Sequence, residues 1–240
     1  MPQYSLALAL QDFVPVVLSA IGWVYVVRVA SGAGPRTGRL ATVGATAVVA
    51  GGLLRAVWKT MVALDGPDVV VLYAALYPLL TFGFLALAGA LLALNADRSP
   101  GRLARSLPII AVALLAVASV LLDTGNGRLV PVLWLAVATV GSITVGLLLA
   151  NLARRSGHPG IAMLFLVGVV ATVLLNGVAR SADQSEPVQW VAQSLNTLNQ
   201  LVFMLASWRL WRVQHAAVDD TSAGIRQETA GGDSRGRNNR

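Results

Sequence analysis

The chain has no cysteine, and charged side chains make up only 12% of it. Without cysteine there is no disulfide framework, no thiolate metal site and no thiol nucleophile. Lysine occurs once, at Lys59, and histidine twice, at His158 and His215, neither close in sequence to a cluster of carboxylates. The HExxH, GxSxG, phosphate-loop and dinucleotide fingerprints are all missing. An intramembrane hydrolase needs a positioned acid, base or metal. Enzymatic chemistry is therefore the less favoured class.

What the chain does have is hydrocarbon. Hydrophobic residues are 56% of its 240 positions and the mean hydropathy is +0.69, too apolar for an ordinary soluble domain of this length. Crossing a bilayer as a helix takes roughly 20 mostly apolar residues. Runs of that length lie near 8–30, 40–64, 69–94, 104–123, 129–152, 160–180 and 187–212. They predict an all-α polytopic membrane protein with seven transmembrane helices in one domain, residues 1–213, whose first partner is the lipid bilayer. Turn formers fall between the runs, at Gly34-Pro35, Gly66-Pro67, Ser99-Pro100-Gly101, Gly125-Asn126-Gly127, Gly157-His158-Pro159 and Glu186-Pro187. The first run lacks a preceding basic residue and exceeds a signal-peptide core, so no cleavage is expected. Residues 214–240 change abruptly to Gly, Asp, Ser, Arg and Asn, the composition of a disordered cytoplasmic tail.

The formal net charge of +7 reads as membrane orientation. Arg28, Arg36 and Arg39 follow the first run, Arg98, Arg102 and Arg105 the third, Arg154 and Arg155 the fifth, and Arg209 and Arg212 close the seventh. The intervening links hold little basic charge beyond Arg128 and Arg180, and carry Asp65, Asp68, Asp183 and Glu186. Basic residues stay on the cytoplasmic side, which puts the N-terminus outside a plasma membrane and the C-terminus in the cytoplasm. Trp208 and Trp211 then sit at the inner interface. No aromatic-studded basic surface accompanies the charge, so no nucleic-acid partner is expected. Richness in Ala, Val, Leu, Gly and Arg matches the codon bias of a GC-rich bacterial genome.

Two halves of the chain resemble each other. Val14-Pro15-Val16 opens the first run and Val130-Pro131-Val132 the fifth; residues 48–59 (VVAGGLLRAVWK) align without gaps on 169–180 (VVATVLLNGVAR); Pro67 matches Pro187. Runs one to three and five to seven would then be parallel repeats joined by the fourth, a 3+1+3 arrangement of a kind known in transporters. Chance matching of Ala, Val and Leu helices is the other account. On this topology the chain resembles the broad group holding microbial rhodopsins and the SWEET and PQ-loop transporters. The resemblance to rhodopsins implies a counterion and a retinal-binding Lys at the i, i+4 spacing of Asn196 and Gln200. A glutamine amide forms no Schiff base, so retinal is not expected and the cofactor stays open. No Pro-Gln pair lies within any of the seven runs to mark a PQ-loop helix.

Ionisable groups inside a span are costly and face the bundle interior or water. Arg55 and Lys59 are one helical turn apart, and Asp12 lies at comparable depth in the first run. Arg55 faces an internal polar site or pairs with Asp12; Lys59 joins it or snorkels to the interface beside Trp58. In the seventh run Gln189, Gln193, Asn196 and Gln200 draw one stripe along a helix, with Ser194, Thr197 and Asn199 flanking it. Amides cannot be left unpaired against lipid, so the stripe points inward, as interhelical glue or as the wall of a wet pocket. Asn176, opposite Arg55 in the repeat, falls at the same depth. Trp23, Tyr25, Tyr73, Tyr77 and Trp134 are further candidates for such a wall. The residues thus predict a pocket of Asp12, Arg55, Lys59, Asn176, Gln193, Asn196 and Gln200 that binds or transports a small solute of anionic character. The alternative is a sensor or accessory subunit that engages a cytoplasmic protein partner through its basic links and tail.

Overall fold

The computed structural model describes residues 5–96, 102–122, 129–179 and 186–236, with side chains over 5–96, 108–117, 119, 130–175, 177 and 187–216. Every regular element among them is a helix: α1 (Leu6–Gln11), α2 (Phe13–Gly32), α3 (Pro35–Ala63), α4 (Val70–Ala74), α5 (Leu76–Asn95), α6 (Arg102–Leu122), α7 (Leu129–Arg155), α8 (Pro159–Ala179) and α9 (Glu186–Gly236).

Proline sets the breaks. A proline lacks an N–H and crowds the carbonyl four residues back. Pro15 frees the carbonyl of Gln11, where α1 ends, and Pro78 frees that of Ala74, where α4 ends. The first and third apolar runs are therefore each two helices meeting at a single residue, Asp12 and Ala75. Tight links use glycine in the left-handed region: Gly34 (φ 126°) precedes Pro35 at the start of α3, and Gly157 (φ 80°) lies shortly before Pro159 at the start of α8.

Within the described residues all seven expected runs are largely helical, but only four are long and apolar enough to cross a membrane: Leu6–Gly32, Pro35–Ala63, Val70–Asn95 and Val130–Arg155. Shorter apolar stretches lie in α6 (Pro108–Val117) and α8 (Pro159–Leu175). In α9 the amide stripe works against apolarity. The expected boundary near residue 213 is not marked by a break in the backbone, since α9 continues to Gly236.

The helices close a ring in the order α2, α3, α5, α7, α8, α9 and back to α2, with α6 outside it against α5 and α7. Small residues let the helices approach. A Cβ on Gly44 would come within 2.8 Å of the Gly83 carbonyl oxygen, so α3 and α5 touch backbone to backbone at that level. The core lies in one half of the bundle, where Val26, Ala30, Ala41, Leu91, Leu149 and Leu210 are fully buried or nearly so. Outward faces carry Val17, Ile21, Val24, Val43, Val140, Leu147, Val167 and Val170, all exposed. So much unpartnered hydrocarbon around a bundle is the surface a lipid environment requires.

Candidate functional site

The half of the ring opposite the core encloses a partly open cavity of about 580 Å³. Its closed end is aromatic. Trp23 on α2 lies 4.6 Å, centroid to centroid, from Phe203 on α9 and 6.2 Å from Phe84 on α5, and Phe165 on α8 stands edge-on to Phe203 at 6.3 Å. Gly22 makes this floor possible, because a Cβ there would meet the Phe203 ring at 2.6 Å.

Among the described residues three charged side chains line the cavity, and all lie at the end away from the aromatic layer: Asp12, Arg55 and Lys59. The break at Pro15 places Asp12 at the α1–α2 junction, from which one carboxylate oxygen reaches Lys59 Nζ at 3.1 Å; the two side chains are 13% and 12% exposed. Of the two partners within reach of Asp12, the structure selects Lys59. The lysine is drawn inward instead of snorkelling outward. The other Asp12 oxygen is buried with no hydrogen-bond partner among the described residues.

Arg55 is the exposed one of the pair. Its guanidinium lies 5.5 Å from the centroid of the Tyr73 ring on α4, a contact worth about 0.5–1 kcal/mol at such a site. Tyr73 is held in turn by Trp58, 4.9 Å away, and by a hydroxyl–hydroxyl bond of 2.8 Å to Tyr77. The Trp58 indole donates to Asp68 at 2.8 Å, tying the α3–α4 link to the rim. Among the described residues Arg55 makes no hydrogen bond or ion pair.

One wall belongs to α9. Gln189, Gln193, Asn196, Asn199 and Gln200 all line the cavity, while Val191, Leu195, Leu198 and Leu205 stand exposed outside. The spacing read from the sequence thus places the amides inside and the aliphatics outside. Some polar groups on this helix do act as glue: Gln11 donates to Thr197 Oγ1 at 3.2 Å and Asn199 to Thr172 Oγ1 at 3.4 Å. The side chains of Gln193, Asn196 and Gln200 make no hydrogen bond to protein among the described residues, and none of their polar atoms is sealed from solvent. They face the cavity with donors and acceptors free.

Asn176 lies on α8, but its side chain falls outside the described residues. Of the aromatic candidates only Trp23 lines the chamber; Tyr73 and Tyr77 sit behind Arg55, and Trp134 is buried between α6 and α7 with its indole donating to Ser119 Oγ at 2.9 Å. Tyr25 belongs to the opposite end, where it packs on Trp211 at 5.5 Å with the Arg28 guanidinium 5.3 Å from the Trp211 ring. Sequence reasoning missed the phenylalanines of the floor, and Ser19, Ser142 and Thr172 of the wall. Nothing distinguishes a cavity-lining phenylalanine from a core one in an apolar run.

No group of three or more potential metal ligands occurs among the described residues. Among the described residues the cavity thus carries one cation without an ion-pair partner, Arg55, with a row of amides and an aromatic base. Comparison with protein-family models, curated proteins and solved structures finds no match for the chain. What fold and surface define is an all-helical protein with four helices suited to a membrane.

Proposed function

We propose that the chain is a seven-helix protein of the plasma membrane that binds or transports a small anionic solute in the chamber between Arg55, the α9 amides and the Trp23 floor. The observation that carries this is the set of three amides, Gln193, Asn196 and Gln200, without protein partners among the described residues on the wall of the cavity that Arg55 also lines. Unsatisfied polar groups inside a membrane bundle are costly, and a polar ligand or water is what relieves them.

The seven-span reading draws support from α6, α8 and α9. Each turns aliphatics outward: Ile110 and Leu114, Val167 and Leu174, and Leu195 and Leu198. The 3+1+3 reading draws support from the ring, in which α2–α3–α5 and α7–α8–α9 are two consecutive arcs with α6 outside. An axis along the membrane normal would exchange them. For orientation, the basic residues flanking α2, α3, α7 and α9 share the end remote from the cavity mouth, where Arg28 stacks on Trp211. The mouth then opens outside the cell.

Because the chain has no native cysteine, single cysteines report access directly. Gln193→Cys, Asn196→Cys and Gln200→Cys should react with an impermeant thiol reagent added to intact cells, while Leu195→Cys and Leu198→Cys stay unmodified in lipid. Arg55→Leu should abolish solute binding and leave a folded protein. Equal protection of all five cysteines would overturn the chamber, and labelling only from the cytoplasmic side would overturn the orientation.

A further inference from the structure

We propose that the solute is an amphipathic organic monoanion, one anionic group at Arg55 and an apolar body extending toward the aromatic floor; this rests on the reading of the cavity as a solute site. The charge follows from pairing. Asp12 and Lys59 neutralise each other at 3.1 Å, which leaves one positive charge, Arg55, among the described residues lining the cavity. A dianion would face a single guanidinium, and a cation would face none but repulsion.

The apolar body follows from depth and from the asymmetry of the walls. Arg55 and Val48 both line the cavity on α3, and seven residues of helix separate them by about 10 Å. Between those levels α5 and α7 contribute Leu80 and Leu135, and the chamber ends on Trp23 and Phe203. A hydrated inorganic anion at Arg55 would leave this surface wet. A chain or ring attached to the anionic group would cover it, and the volume of about 580 Å³ lies within the range of sites for drug-sized organic molecules. The α9 amides give one edge of the solute hydrogen-bonding partners without adding charge.

The test uses the full chain carrying Ser142→Cys, a near-isosteric reporter on the cavity wall, in nanodiscs of zwitterionic lipid. The readout is protection of that cysteine from a water-soluble maleimide. Butanoate, hexanoate and octanoate should protect with affinity rising about fourfold per added CH₂. Arg55→Gln should weaken octanoate protection at least tenfold, and neither octylammonium nor inorganic phosphate should protect at the same concentrations. Phosphate or acetate matching octanoate, with the dependence on Arg55 kept, would overturn the amphipathic assignment and leave an anion site standing. Octylammonium matching octanoate would overturn the charge assignment. A Ser142→Cys protein that does not react at all would sink the solute cavity itself. Slower labelling in nanodiscs containing phosphatidylglycerol, without added probe, would support the same chemistry with a membrane lipid as its source.

Discussion

The two halves of this bundle are made from the same helices and packed by opposite rules. Toward the basic end, α2 presents Val26, Val29 and Ala30, α5 presents Leu87, Ala90 and Leu91, and α9 presents Ala206 and Leu210, all buried. Toward the other end, α2 presents Ser19, α3 Arg55 and α9 its amides, all around open space. The aromatic layer at Trp23 divides the two. Since lipid removes the hydrophobic incentive for helices to associate, stability must come from close packing and interhelical polar contacts. One half supplies that packing. The other leaves the Gln193, Asn196 and Gln200 amides without partners among the described residues, while Asp12 with Lys59, Gln11 with Thr197, Asn199 with Thr172 and Trp58 with Asp68 tie its helices together.

The largest effect is expected where the open half depends on a single contact. Lys59→Met strands the Asp12 carboxylate, mostly buried and with one oxygen already unpartnered. Breaking a buried pair from one side costs about 3–5 kcal/mol. Unfolding titrated with SDS in mixed micelles should show that loss, and the double variant Asp12→Asn, Lys59→Met should recover most of it. A double variant as unstable as the single would mean that the pair is not what joins α1 to α3.

Next comes the packed half. Leu91 is fully buried between α5 and its neighbours, and Leu91→Ala should cost about 2–3 kcal/mol in lost packing contacts. Leu135→Ala, on the cavity wall, should cost less than about 1 kcal/mol because it widens a space that is already there. Equal losses at the two positions would erase the distinction between the halves.

Much of this contrast was legible in the sequence, and the limits are instructive. The α9 stripe could be read because four amides at helical spacing have only one inward solution in lipid. Asp12, Arg55 and Lys59 could be brought together because charge inside a span is rare. The partner choice could not be read: it depends on the Pro15 break, which turns Asp12 toward α3 and leaves Arg55 to the Tyr73 ring. Nor could the floor, since Phe84, Phe165 and Phe203 look like any other apolar residues until the ring closes around them. The count of spans was read from apolarity alone, and the amide stripe lowers that apolarity in α9.

The smallest effect on stability is the one that best separates glue from wall. If the amide of Gln193 held helices together, Gln193→Leu would cost about 0.6–2 kcal/mol, the range of an interhelical hydrogen bond in lipid. On the geometry it holds nothing, because the side chain makes no hydrogen bond among the described residues and faces the cavity. The leucine should therefore leave the SDS unfolding midpoint unchanged or raise it slightly, as substitutions at functional positions often do. The same change should abolish protection of the Ser142→Cys reporter by octanoate, since it removes a polar partner and narrows the chamber. Lost stability with protection intact would reassign the α9 stripe to structure and leave Arg55 without its wall.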